Sequence, residues 1–295
     1  MNNVEELELL RKKIIRKEII MSLIIISIVV LIMINTSAFQ FVVITIFLGI
    51  IITTAINSKD TKRFIEIYKK IVILDSLEKV FKNITYLPNE EMDYYKIANT
   101  NMMYMGDYYH SNDYIKGEYK NINFELADVE IEDEYTDSDG DTHRITIFQG
   151  QWFIFDFNKS FKSDIQVCEK TFGNAKRKNQ KYESKFKKVE LESLEFNRKF
   201  NVYAKEEIEA YYILTPNMME RILNVNEKIK GDLLFCFIDN KLHIGLYNNR
   251  DLFEPNIHKK INLERDTLKT MEELNIITNF IDLMNLDNDL FRREV

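Results

Sequence analysis

The hydrophobic pattern of the chain changes near residue 60. Forty consecutive positions, 19–58, contain no Asp, Glu, Lys or Arg and consist mainly of Ile, Val, Leu, Met and Phe. A single helix of that length would measure about 60 Å, roughly twice the hydrocarbon thickness of a bilayer. The polar run 35–37 leaves two apolar stretches of 16 residues each, 19–34 and 41–56. The pattern predicts a transmembrane helical hairpin over 19–58, in which flanking residues complete each span.

Basic side chains lie at both outer ends of this segment, whereas the turn between the two spans carries no charge. We therefore expect a multi-pass protein of the cell membrane with two spans. Because the cytoplasmic ends of spans carry an excess of Lys and Arg, both termini are expected in the cytosol, and residues 1–18 are expected to form a cytoplasmic N-terminal segment. A cleaved signal peptide followed by one anchor is disfavoured, since no small-residue cleavage site precedes a polar mature region. The candidate lipid contacts at these ends are Lys12, Lys13, Arg16, Lys17, Lys62 and Arg63.

Beyond the second span, apolar residues recur every three or four positions, at Ile67, Ile71, Leu74, Leu77, Phe81 and Ile84. This spacing predicts an amphipathic stalk helix over 59–88 that ends before Pro88. Its apolar stripe would pack either on the globular domain or on a partner stalk, so homo-oligomerisation stays open. Asn89 is placed to cap a short following helix that begins at Glu90.

From about residue 113 the hydrophobic period changes to two, which is typical of half-buried strands. Strands are predicted over 114–119, 122–131 and 145–157. The Asp139-Gly140 pair favours a hairpin between the last two of these strands. Together they predict an antiparallel meander.

The later part of the chain predicts a second strand-rich region from Val189 to Leu214. A hairpin of strands 233–238 and 241–247, joined at Asp239-Asn240, follows it. Helices are predicted over 216–227 and 263–283. The expected fold class is therefore α+β, with the transmembrane hairpin followed by a cytosolic domain, 89–295, of mainly antiparallel sheet with flanking helices.

Residues 170–188 interrupt this pattern with many Lys and Arg residues and few large apolar ones. The composition predicts a mobile basic loop between two β-rich parts. Lys176, Arg177 and Lys178 are its candidate contacts with anionic lipid, although a solvated linker is the favoured interpretation.

The net charge of −7 argues against a nucleic-acid partner, whose phosphates bind mainly Lys and Arg. The first 60 residues hold 6 of the 40 basic and 5 of the 47 acidic side chains, which leaves 34 and 42 for 61–295, a net charge of −8. Two Cys without a C-x-x-C spacing fit a reducing compartment and no disulfide framework.

The sequence contains no recognisable catalytic or cofactor motif. A phosphate-binding loop needs closely spaced glycines, but no two of the eight glycines are closer than ten positions. The four His residues are far apart and none pairs with a Cys at ligand spacing, so no metal site is predicted. A G-x-S-x-G elbow is absent as well. We therefore predict no catalytic residue and no cofactor, and an enzyme is the disfavoured class.

One acidic hairpin partly matches a calcium loop. Asp137, Asp139 and Asp141 have the spacing of its first three ligands. Thr142 then stands where the loop needs Gly, and Phe148 stands where it needs a bidentate Glu. A solvated hairpin tip is favoured, and cation binding by 137–141 is left open.

Seven short motifs follow the paired spans in a fixed order. They are Asp113-Tyr114-Ile115-Lys116-Gly117, Phe148-Gln149-Gly150-Gln151-Trp152-Phe153, Asp156-Phe157-Asn158-Lys159, Glu192-Ser193-Leu194-Glu195-Phe196, Phe200-Asn201-Val202-Tyr203, Tyr212-Ile213-Leu214-Thr215-Pro216 and Asp251-Leu252-Phe253-Glu254-Pro255. In this order, and over nearly the whole chain, they resemble the bacterial domain-of-unknown-function family 3137. The resemblance implies a bacterial membrane protein with a cytosolic α+β domain, and it carries over no activity and no catalytic residue.

Three functions follow as hypotheses. The leading one is a non-enzymatic interaction or scaffold module for an unknown protein partner, tethered to the inner membrane face. The alternative is a lipid- or ligand-binding β-rich module that places the basic loop near headgroups. A hydrolase whose carboxylates converge only in three dimensions is less favoured, and a polar pocket with convergent Asp, Glu or His would support it.

Overall fold

The computed structural model describes residues 3–34, 36–157, 161–173 and 186–287. The chain divides into two compact units. The first, here the hairpin unit, comprises Met1–Ser76 and Phe253–Met271. The second, here the sheet unit, comprises Leu77–Leu252 and Glu272–Val295.

Two long helices dominate the hairpin unit. Helix α1 spans Asn3–Ile34, and a 3-10 turn, Thr36–Phe41, leads into α2, Val42–Tyr68. A π-helical segment, Lys69–Leu74, and the short helix α3, Asp75–Val80, prolong α2, so that helix runs for 40 residues from Phe41 to Val80. Both long helices have the length and apolar composition needed to cross a membrane.

Helices α1 and α2 pack against each other along the apolar segment and beyond it. A Cβ atom on Gly49 would lie 2.5 Å from Cδ1 of Ile25, so the missing side chain permits a close approach. At the charged end, the carboxylate of Asp60 accepts hydrogen bonds from Lys13 Nζ at 2.8 Å and Lys17 Nζ at 2.7 Å. Ion pairs therefore join the two helices where the apolar segment ends.

The stalk helix ends eight residues earlier than the sequence predicted. Residues Lys82–Leu87 form strand β1, so Ile84 belongs to the sheet and not to the apolar stripe of the stalk. Consecutive β-branched residues, Ile84 and Thr85, favour a strand, and the antiparallel pairing of this segment with residues 114–118 decides the boundary. The next helix, α4, spans Tyr94–Ala98 and is capped by Asp93, whose carboxylate accepts the N–H of Tyr95 at 2.9 Å. The prediction of a cap at Asn89 was wrong.

The described part of the sheet unit contains eight further strands. They are β2 (Tyr108–Tyr119), β3 (Ile122–Thr136), β4 (Thr142–Asp156), β5 (Ile165–Glu169), β6 (Lys187–Val189), β7 (Phe200–Ala204), β8 (Asp232–Ile238) and β9 (Lys241–Tyr247). The strands form one sheet in the order β1-β2-β3-β4-β9-β8-β5-β7-β6, and every pairing is antiparallel. The predicted meander is confirmed as β2-β3-β4.

Both predicted hairpins are confirmed. Between β3 and β4, the carboxylate of Asp137 accepts the N–H groups of Asp139 and Asp141 at 3.0 Å each. Between β8 and β9, Asp239 and Asn240 have φ angles of 51° and 56°. This left-handed conformation is one that Asp and Asn adopt more readily than other side chains, which explains why they form the turn.

The region 189–214 contains more helix than the sequence predicted. Helix α5, Leu194–Lys199, lies between β6 and β7, and α6, Glu207–Ile213, follows β7. The hydroxyl of Ser193 accepts the N–H of Phe196 at 3.2 Å and caps α5. The mixture of short strands and short helices made a single hydrophobic period unreadable. Strand β5 was missed because its five residues are too few to establish an alternation.

The two later helices agree with prediction to within one residue. Helix α7 spans Pro216–Lys228 and begins where the hydroxyl of Thr215 accepts the N–H of Met218 at 3.3 Å. Helix α8 spans Leu263–Met284. Its first part belongs to the hairpin unit and its second part to the sheet unit. The α+β class is confirmed, with two apolar helices followed by an antiparallel sheet and flanking helices.

The sheet is buried on both faces. On one face, the rings of Phe153 and Phe155 lie 4.9 and 6.2 Å from that of Phe280 on α8. On the other face, Trp152 and its neighbours form a core cluster with residues of the segment around α4. Members of this cluster are Met92, Ile97, Met102, Met103, Ile154, Leu234 and Cys236. Trp152 itself is fully buried in this core.

Candidate functional site

Three side chains in register form the floor of a pocket on the face that α4 covers. Glu125 of β3 pairs with Ile154 of β4, and Ile154 pairs with His243 of β9. Directly opposite residues of neighbouring strands point to the same face of a sheet, so the three side chains form a row. The cavity above this row, here the sheet pocket, has a volume of about 270 Å³.

Two chain segments form the walls of the sheet pocket. Helix α4 and its ends contribute Asp93, Tyr95, Lys96 and Asn99. The β8–β9 hairpin contributes Ile238, Asp239 and Lys241. The pocket is thus lined mainly by polar side chains, with isoleucines as its apolar part.

A hydrogen-bonded network of Lys96, Tyr114 and Glu125 lies at the pocket. Lys96 Nζ donates to the hydroxyl of Tyr114 at 3.0 Å, and both groups donate to Oε2 of Glu125. Burial alone would raise the pKa of Glu125, but the hydrogen bonds from Lys96 and Tyr114 outweigh it and hold the pKa below its usual value. Burial and the bond to Glu125 raise the pKa of Tyr114. The carboxylate therefore stays ionised and the phenol stays protonated at neutral pH.

His243 lies on the pocket floor with only 6% of its surface exposed. Its Nδ1 lies 3.3 Å from Nε1 of Trp152. An indole nitrogen can only donate, so Nδ1 accepts and the proton of the neutral ring is on Nε2. Burial lowers the pKa of His243 from 6.5 to about 4, which keeps the ring neutral. Within the part of the chain that the structure describes, Nε2 has no hydrogen-bond partner, so its N–H is left for the pocket.

A glycine makes this contact possible. Trp152 pairs with Gly245 of β9, two residues from His243. A Cβ atom on Gly245 would lie 2.6 Å from Cζ3 of the Trp152 ring. Only a residue without a side chain lets the indole pack this closely against β9, where it reaches the imidazole.

The sheet pocket brings Asp, Glu and His residues together, as a hydrolase with a site assembled in three dimensions would. Their chemistry does not suit proton transfer. A general base works best with a pKa near the working pH, whereas that of His243 is lowered to about 4 and its pocket-facing nitrogen already carries the proton. Glu125 is engaged by two hydrogen-bond donors. The arrangement can hold a ligand by hydrogen bonds and charge.

A separate group of carboxylates, here the aspartate cluster, consists of Asp113, Asp128 and Asp251, whose oxygen atoms lie within 4.8 Å of one another. Asp128 is buried and accepts hydrogen bonds from Gln151 Nε2 at 2.7 Å and Leu252 N at 2.9 Å. Burial and the neighbouring Asp251 raise the pKa of Asp128 well above its usual value. The three carboxylates could hold a divalent cation, although three ligands are half or fewer of the six to eight that Ca²⁺ takes.

The candidate lipid contacts at the ends of the apolar segment differ in their surroundings. Four of the six lie next to acidic side chains: Lys13 and Lys17 at Asp60, Arg63 at Glu6, and Lys12 at 3.9 Å from Glu8. Arg16 and Lys62 are exposed and have no acidic partner among the described residues. The charges of these two side chains are therefore not neutralised by a described carboxylate.

Three other candidates, Lys176, Arg177 and Lys178, lie outside the described residues, as does most of 170–188. The described ends of that segment are a 3-10 turn, Lys170–Phe172, and the start of β6. In the acidic hairpin, Asp137 turns its carboxylate to the backbone of its own turn and to His143 Nε2 at 2.7 Å. Its oxygen atoms are therefore occupied by local donors.

Sequence reasoning missed the sheet pocket. Lys96, Glu125 and His243 stand on three elements, and the pairing of β4 with β9 joins strands that are distant in the chain. The hairpin at Asp239 predicts only that His243 opposes Cys236. A histidine inside the otherwise apolar run 242–246 was the available signal, and it does not identify a neighbour.

The fold defines a class of protein: two candidate membrane spans followed by an α+β unit built on a nine-stranded antiparallel sheet. Within this class, residues 146–286 match the family model described as "Protein of unknown function (DUF3137)". The match confirms the resemblance to family 3137 and covers six of the seven motifs, all except 113–117.

No curated protein matches the chain. Among solved structures, the crystal structure of the mycobacterial trehalose monomycolate transport factor A is similar, with a TM-score of 0.38 and 10% sequence identity. The similarity covers 77% of this chain and 95% of that one. The function therefore has to be inferred from the chemistry of the described residues.

Proposed function

We propose that this protein is a membrane-anchored binding module of a bacterial cell. In this proposal α1 and α2 cross the membrane as a hairpin and both termini lie in the cytosol. The sheet unit binds a partner or ligand there without catalysing a reaction. The sheet pocket is the observation that carries the binding role, because Glu125 is held ionised by two hydrogen-bond donors and His243 is held neutral by burial.

The surface of the two long helices supports the anchor. Their large apolar side chains over 19–34 and 41–56 are mostly exposed, which in water would be unfavourable and in lipid is expected. Charged residues are confined to one end of the pair, at Lys13, Lys17 and Asp60. A hairpin with this distribution inserts with its charged end on the cytosolic side.

Cysteine labelling in intact cells tests the orientation. Both native cysteines, Cys168 and Cys236, are buried, so the folded protein gives little background with an impermeant maleimide. Ser138→Cys places an exposed thiol at the β3–β4 turn, and Gln40→Cys places one in the connection between the helices. We expect Gln40→Cys to react in intact cells and Ser138→Cys only after permeabilisation. Reaction of Ser138→Cys in intact cells would contradict the cytosolic placement.

The non-enzymatic part of the proposal is tested on the purified full chain in detergent. Turnover in a hydrolase substrate panel that is lost in Glu125→Gln would contradict it. Turnover that persists in Glu125→Gln would point to a contaminant.

Contact with anionic lipid is a second candidate role, favoured by the exposed and unneutralised charges of Arg16 and Lys62. Juxtamembrane basic residues contribute about 1 kcal/mol each near an anionic surface. The double variant Arg16→Gln, Lys62→Gln and the parent protein are each released from mixed-lipid nanodiscs, and the phosphatidylglycerol that stays bound to each protein is measured. The double variant should retain less of this lipid than the parent. Lys230→Gln, which changes an exposed lysine of the sheet unit outside the basic loop, is the matched control and should retain the same amount.

A further inference from the structure

The charges that line the sheet pocket do not cancel. Lys96 is neutralised by Glu125, and Lys241 Nζ lies 2.7 Å from Oδ1 of Asp156. Two exposed lining carboxylates remain, and neither has a cationic partner in the described ranges. They are Asp93, at the start of α4, and Asp239, in the β8–β9 turn. The pocket therefore carries a net negative charge once its internal ion pairs are formed.

The floor of the pocket adds a donor of fixed direction. His243 is more than nine-tenths buried, its Nδ1 is held by Trp152, and its Nε2–H has no partner among the described residues. The N–H reaches the solvent of the pocket, since Nε2 is not among the fully enclosed unpaired atoms of the described residues, so a ligand oxygen placed there would accept a hydrogen bond of fixed direction. A metal ion fits less well, because the protonated ring nitrogen cannot act as a ligand.

One aromatic side chain stands at the pocket wall. Tyr95 lines the pocket and exposes 66% of its surface. An exposed ring beside carboxylates suits a cation, which is attracted to the face of the ring. The volume of about 270 Å³ lies just below the roughly 300–1,000 Å³ of pockets for drug-sized ligands, which favours a small metabolite.

We propose that the sheet pocket binds a small organic cation, an ammonium or guanidinium compound that also carries a hydroxyl or carbonyl oxygen. The cationic group faces Asp93 and Asp239, and the oxygen accepts the hydrogen bond from Nε2 of His243. This inference rests on the proposed function, since it assigns a ligand class to the same binding pocket.

The chain carries its own reporter for this test. Trp152 is the sole tryptophan of the 295 residues and is hydrogen-bonded to His243. Its fluorescence is recorded for the full chain in detergent during titration with glucosamine, glucose and glucuronate. These probes share one ring and carry a positive, zero and negative charge. Agmatine serves as a second cation with a guanidinium group.

We expect a saturable change with glucosamine or agmatine and no change with glucose or glucuronate. Asp93→Asn and Asp239→Asn should each weaken binding roughly two- to fivefold, the range of an exposed ion pair. Both substitutions keep the local structure, because Asn also caps helices and also adopts left-handed turns. Asp141→Asn, at the distant β3–β4 turn, should bind as the parent does.

The outcomes separate this inference from the proposed function. Binding of glucose or glucuronate as tightly as glucosamine would overturn the ligand class and leave the pocket as a binding site. The inference would be overturned if neither cation changed the fluorescence of Trp152. It would also be overturned if Asp93→Asn and Asp239→Asn both bound the cation as tightly as the parent does. Pocket-dependent turnover, lost in Glu125→Gln, would instead overturn the proposed function.

Discussion

Acidification should destabilise the sheet unit through His243. The ring is neutral in the folded chain because burial lowers its pKa to about 4, whereas the exposed ring of the unfolded chain titrates at 6.5. As the pH falls from 6.5 to 4, the unfolded state binds the proton first, so the free energy of unfolding decreases. The full effect is about 3 kcal/mol, and about 2 kcal/mol of it is lost between pH 7 and pH 5.

The assay is urea unfolding of the detergent-solubilised chain at pH 7, 6 and 5, followed by the fluorescence of Trp152. Other groups titrate in this range, so the quantity of interest is the difference between the parent and His243→Asn. Asn supplies an acceptor for the indole but has no titrating group. The variant should lose about 2 kcal/mol less than the parent between pH 7 and pH 5.

His110→Asn is the matched control for this experiment, because it removes an exposed histidine of the same unit. It should retain the pH dependence of the parent. Parallel loss of stability in the parent and in His243→Asn between pH 7 and pH 5 would refute the assignment of a buried neutral ring.

Three further substitutions test packing and charge. Asp251→Asn should raise the free energy of unfolding at neutral pH by roughly 1 kcal/mol, because Asp251, after burial, raises the pKa of Asp128 and so penalises the folded state at pH values above the ordinary carboxyl pKa; lower urea stability would contradict this. Gly245→Ala should lower stability by about 1–3 kcal/mol, measured by urea unfolding, because its Cβ would lie 2.6 Å from the Trp152 ring. Gly49→Phe should reduce disulfide cross-linking between cysteines placed on α1 and α2, whereas Gly49→Ala, which displaces only the flexible end of Ile25, should cross-link like the parent.

Local pattern predicted most of the elements. The alternation over 122–131 and 145–157, together with the turn residue Gly140, defines β3, β4 and their register to within a few residues. The prediction failed at Ile84, where helical spacing and β-branching point to different elements and the pairing of β1 with β2 decides between them. Periodicity is a local signal, so it is least reliable at boundaries that a distant strand sets.

The sheet pocket illustrates the opposite case. Glu125, Ile154 and His243 become neighbours only when β4 pairs with both β3 and β9. The lowered pKa of His243 arises from burial, and the direction of its free N–H arises from the indole of Trp152. None of these properties is encoded within a few positions of the histidine.

The sequence by itself determined that this protein has two apolar segments long enough to span a membrane, an acidic remainder and an α+β fold, because hydropathy, charge and period are properties of neighbouring positions. The tertiary structure decided which charges are neutralised, at Asp60 and Glu125, and which remain, at Asp93 and Asp239. Electrostatic interactions and hydrogen bonds act over a few ångströms in space, and that proximity exists only once the strands have paired.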